Sequence, residues 1–180
     1  LLFSWIVSHK SHTTKTNSPS NVDGQTNYAS GGNPNDQGNA QGGNPSKQGL
    51  SQTYRLFKNE ENQFAMAGIG SESQQLTQAY LFNPNQQTLA ALQSFHRNRV
   101  QQAQYLLNKL SGLPDSPDAS SEISRFKQTH HAFLFECMQL EQYYMSNPTM
   151  NSPTANADLQ SKGKDADDAS ARLEAKLGFQ

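Results

Sequence analysis

Cysteine is almost missing from this chain. The single thiol, Cys137, excludes an intramolecular disulfide and any zinc site built on cysteines. Charge is scarce as well: 16% of the residues are Asp, Glu, Lys or Arg, the net charge is −1 and the pI is near 6.6. A chain this poor in positive charge lacks the basic face that neutralises phosphates, so no nucleic-acid partner is expected. No apolar run approaches the roughly 20 residues that span a bilayer. No glycine-rich loop follows a strand pattern, and no Ser or Cys stands in the local setting of a nucleophile, so no catalytic set and no cofactor are implied. Apolar residues make up 33% of the 180, against roughly 45–50% in an average globular chain. The polarity comes from Gln, Asn, Ser and Thr, and such a chain buries a core over only part of its length.

What is present falls into four stretches. Residues 1–8 open with Leu1-Leu2-Phe3-Ser4-Trp5-Ile6-Val7, too short to cross a membrane but suited to be the end of a span, with Trp5 and then Lys10 at the boundary. The bland alternative is a short apolar segment docking on the helices. Residues 9–52 have no apolar periodicity and hold a tandem repeat, GGNPNDQGNAQ followed by GGNPSKQGLSQ, in which seven of eleven positions agree. Neither copy has a face to stack, so the expectation is a disordered Gly/Asn/Gln linker, with an end-to-end distance of roughly 35 Å. Residues 53–146 are expected to form an α-helical domain, and 147–180 a loop plus a short final helix. That helix is placed after Gly163, with Asp165, Asp167 and Asp168 at its start, Arg172 and Lys176 at its end, and Gly178 as its stop.

The organising element is an antiparallel helical hairpin. Leu89, Leu92, His96, Arg99, Ala103, Leu106 and Leu110 step by three and four, as do Ile123, Phe126, His130, Phe133, Cys137, Leu140 and Tyr144. Asn83-Pro84 starts the first helix, Gly112 provides a left-handed stop, and Ser116-Pro117 starts the second. One or two short helices pack beside this hairpin. Tyr54, Phe57, Phe64 and Ala65 mark the first, with Glu60 and Glu61 solvated, and it breaks at Gly68-Ile69-Gly70. Ser71-Glu72-Ser73-Gln74 caps the next. The fold class is thus all-α, flanked by low-complexity segments.

Centring the hairpin on Pro114 pairs Leu92 with Cys137, His96 with Phe133, and Arg99 with His130. That register sets a polar layer of Arg99, His130 and His96 in an apolar seam, where it fixes the alignment of the helices. Neither histidine has a second metal ligand three or four residues away, so no metal site is expected. Glu136 and Glu141 read as solvated surface, and His131 points outward. Tyr80, Phe82, Met138, Tyr143, Tyr144 and Met145 gather at the far end of the hairpin and are the candidate partner-binding residues.

The layout favours a non-enzymatic helical interaction or assembly protein. It would be membrane-tethered and single-pass through its N-terminus, and would bind another protein or a second copy through the hairpin. Bacterial envelope, secretion and conjugation assemblies use proteins laid out in this way, which is an analogy of architecture only. The alternative is a soluble helical bundle that binds a ligand through His96 and His130.

Overall fold

The computed structural model describes residues 45–148 and 153–178, and they form an all-α bundle. Its helices are α1 (Pro45–Ile69), α2 (Ser71–Phe82), α3 (Gln86–Ser111), α4 (Ser120–Ser146) and α5 (Pro153–Leu177), with a 3₁₀ turn at Pro117–Ala119 leading into α4. The apolar stub and the first repeat copy lie outside the described residues. Among the described residues no helix is long and apolar enough to cross a membrane.

The α3–α4 hairpin is the largest contact in the bundle, and α5 covers the other side of α4. Residues on successive turns of each helix supply the core: Leu92, Ala103, Leu106 and Leu110 from α3, and Ile123, Phe126, Phe133, Cys137 and Leu140 from α4. Burial pushes the Cys137 thiol well above the ordinary cysteine range, so it packs as a small apolar group. Ring contacts set the direction of α1. Tyr54 meets Phe126 and Phe57 meets Phe126 and His130, so α1 runs parallel to α4 and antiparallel to α3 and α5.

Two helices are longer than the pattern implies. α1 starts at Pro45 inside the second repeat copy, because Leu50 lies one turn before Tyr54 on the same stripe and is buried with it. The linker expected to reach residue 52 therefore gives way to helix at 45. α5 starts at Pro153, where a proline at the first helical position sacrifices no hydrogen bond, so the loop expected up to Gly163 is helical from there. Leu159 packs against the core and Gly163 is buried, which extends the stripe that Ala166, Ala169, Leu173 and Leu177 continue.

Several boundaries shift as well. Asn85, not Asn83, caps α3: its side chain accepts from the Thr88 amide at 3.0 Å, and the Thr88 hydroxyl accepts from the Asn85 amide at 3.2 Å, a reciprocal pair. Gly70 rather than Ser71 precedes α2, with no side-chain cap bond. Gly112 ends α3 at φ −82°, an ordinary backbone conformation, so Pro114 alone prevents continuation. Gly178, at φ +74°, is the left-handed stop expected of it.

Candidate functional site

The buried polar residues form two clamps, each joining a histidine to a glutamate. In the first, Nδ1 of His130 on α4 lies 2.5 Å from Glu61 Oε1 on α1. Its Nε2 lies 3.0 Å from the Ala166 carbonyl and 2.9 Å from Ser170 Oγ, both on α5. An ionised carboxylate can only accept, so Nδ1 donates to Glu61, while Nε2 faces the Ser170 hydroxyl and the Ala166 carbonyl. Lys58 holds the other Glu61 oxygen at 2.6 Å. Burial opposes ionisation of Glu61, but Lys58 and His130 outweigh it and hold its carboxyl below the usual glutamate range. Tyr54 extends the network by donating to Glu174 at 2.7 Å; burial, then that carboxylate, raises its hydroxyl well above the ordinary tyrosine range.

In the second clamp, Nδ1 of His96 on α3 lies 2.6 Å from Glu141 Oε2 on α4. Arg99 donates from Nε to Glu141 Oε1 at 2.5 Å and from Nη1 to the Phe64 carbonyl on α1 at 2.6 Å. Its guanidinium also sits 4.0 Å from the centre of the Phe64 ring. Burial opposes ionisation of Glu141, yet His96 and Arg99 together lower its carboxyl below the ordinary range. Gly68 makes room for this: a Cβ there would stand 2.6 Å from Arg99 Nη2. Gly68 is thus a helical residue chosen for space, and α1 breaks only at Gly70.

These contacts correct the expected polar layer. Arg99 does not face His130; the two belong to different clamps, and His96 joins Arg99 through Glu141. Gln93 reaches the Met145 carbonyl at 3.1 Å, so α3 side chains reach about two turns further along α4 than a register centred on Pro114 implies. The 3₁₀ turn and the buried Leu113 and Ala119 account for the offset, since the connection packs as part of the core. Glu61 and Glu141 are not solvated surface. Glu61 left a signal: stepping by three and four from Leu50 through Tyr54, Phe57 and Phe64 lands on it. Glu141 left a fainter one, four residues after the buried Cys137.

Glu61, His130 and Ser170 stand in the order of an acid–imidazole–hydroxyl triad. Their surroundings give them a different task. Ser170 lies inside α5, its hydroxyl donates to the Ala166 carbonyl at 3.0 Å, and the exposures of the three are 3%, 1% and 7%. The arrangement ties α1, α4 and α5 together. Among the described residues no group of three or more His, Cys, Asp or Glu could hold a metal ion.

The candidate partner-binding residues divide. Tyr80 and Phe82 end α2 beside the start of α3, and Tyr143, Tyr144 and Met145 end α4 where Gln93 reaches it, so all five share one end of the bundle. Phe82 is 87% exposed and Leu81 56%, while Tyr143 is exposed to a lesser degree. Tyr144 instead lies against the His96 ring, and Met138 packs on the core. His131 is exposed as expected, stacked on Phe135. No protein-family model matches this chain, and no curated protein or solved structure shows significant similarity to it.

Proposed function

We propose that this chain is a non-enzymatic interaction protein: a clamped helical head, carried on an N-terminal linker and membrane tether, that binds another polypeptide through the apolar end built by α2 and the end of α4. One observation carries the reading. α2 contributes no buried residue, and it leaves Leu81 and Phe82 exposed at the end of the bundle where α4 leaves Tyr143 exposed. Uncovered aromatic and aliphatic side chains grouped at one place are the usual mark of a protein contact. The geometry of the ends supports it. The N-terminal half of α1 lies towards the opposite end, where Tyr54 meets Phe126 and Glu174, so a tether entering at Pro45 would hold the apolar end away from its anchor.

The ligand-binding alternative has less support. His96 and His130 do not converge on a shared space; each ring is held by a different carboxylate.

A photo-crosslinking amino acid at position 82 of the full chain, in the cells that make it, tests the proposal. A discrete protein adduct is expected from position 82 and not from the exposed Gln101 on α3. No adduct, or the same products from both positions, would count against it. Deleting residues 1–8 should release the chain from the membrane fraction, and retention there would contradict the tether.

A further inference from the structure

One exposed stripe of α5 carries four charges. Asp165, Asp168, Arg172 and Lys176 are all exposed. Their steps of three and four set them on one stripe that flanks the buried Ala166, Ala169, Leu173 and Leu177, about 100° round the helix from them. Among the described residues none of the four side chains makes a hydrogen bond or an ion pair within 4 Å. The macrodipole does not explain the acids. α5 has no acidic residue in its first turn, and Asp165 sits at its middle and Asp168 past it.

The order of the charges suggests a different use. Reading inward from either end of the stripe, acid on one side mirrors base on the other about a point between Ser170 and Ala171. A second α5 laid antiparallel across that point would bring Asp168 against Arg172 and Asp165 against Lys176, and each pair would occur twice. This is the self-complementary patch that a two-fold contact requires. Exposed Ala171 and Ala175 flank the stripe with little bulk, which lets two helices approach. Arg125 and Glu122 of α4 line the cleft beside Arg172 and Lys176, and their opposite charges offset, so the basic half of the stripe presents its own two cations to the acidic half of another molecule.

We propose that the chain self-associates through antiparallel pairing of α5 with α5 of a second copy, on a surface separate from the apolar end. Exposed ion pairs are individually weak and screened by salt, so the association is weak and strongly dependent on ionic strength.

Sedimentation velocity on the full chain tests this. At about 10 mM ionic strength the mass should climb from 19.9 kDa towards twice that value as concentration rises, and fall back in about 0.5 M salt. Asp168→Arg and Arg172→Asp should each hold the chain at the monomer mass with helix content by circular dichroism unchanged. An equimolar mixture of the two should associate again, because the reversed charges then face their opposites across the two-fold. A role confined to pairing within one helix would not produce that rescue. A wild-type chain that stays monomeric throughout, single variants that associate as well as wild type, or a mixture that stays monomeric would each overturn the proposal. Association that survives both single variants and is lost in Phe82→Ser would also overturn it, while leaving the apolar-end reading in place.

Discussion

The two clamps use the same pair of side chains in different settings. Glu61–His130 sits deep between three helices, with both ring nitrogens and both carboxylate oxygens occupied. Glu141–His96 lies nearer the surface and shares its carboxylate with a guanidinium that reaches a backbone carbonyl. Breaking a pair by removing one partner strands a charge, and the cost rises with how little water can reach it. The inner clamp should therefore dominate stability, and the outer one should set how α1 and α3 align through Arg99. The outer clamp borders the apolar end, where Tyr144 lies against the His96 ring, whereas the inner clamp is enclosed by α1, α4 and α5.

Acid should produce the largest effect, because it attacks both clamps together. Glu61 and Glu141 each have a folded-state carboxyl lowered below its ordinary value. Such groups contribute stability above the unfolded-state range and lose it as pH falls through the folded one. Thermal unfolding midpoints should be flat down to about pH 5, begin to drop near pH 4 and keep falling below it. A midpoint independent of pH between about 5 and 2 would show that these carboxylates are not held in charged pairs.

Separating the clamps comes next. His130→Ala leaves the buried Glu61 with Lys58 alone, empties a fully buried site and should lower unfolding free energy by about 3–5 kcal/mol in urea titrations. Glu141→Gln keeps the shape but weakens two charge-assisted bonds, with an expected loss of about 2–3 kcal/mol. A larger loss from Glu141→Gln than from His130→Ala would reverse the proposed ranking. The smallest effect belongs to Gly68→Ala. Alanine gains about 1 kcal/mol of helix propensity, but its Cβ displaces a guanidinium whose bonds contribute about 1.5–3 kcal/mol. A net loss of about 1 kcal/mol should follow, and stabilisation instead would mean that Arg99 moves aside freely.

The apolar half of this design was legible in the chain. Ile123, Phe126, Phe133, Cys137 and Leu140 announce one buried stripe by spacing alone, and Leu92, Ala103, Leu106 and Leu110 another. His96, Arg99 and His130 were also recognisable as polar residues at core positions. Their partners were not, because a glutamate between Phe57 and Phe64 looks like solvated surface until a histidine from a helix 69 residues away is seen to meet it. Register was misread for a related reason. Counting from a turn assumes that the turn is inert, whereas Leu113 and Ala119 pull this one into the core. Leu50 was hidden by a repeat whose composition otherwise reads as linker, and the early start of α5 by the polar stretch around Asn156 and Asp158.

A pair of double-mutant cycles in urea tests the clamp arrangement most directly, because only one of two residues can be the partner of His130. The structure predicts a coupling of at least about 1.5 kcal/mol between Glu61→Gln and His130→Gln, and additivity within about 0.5 kcal/mol between Arg99→Gln and His130→Gln. Strong coupling of Arg99 to His130, with Glu61 additive, would contradict the account and restore the register centred on Pro114.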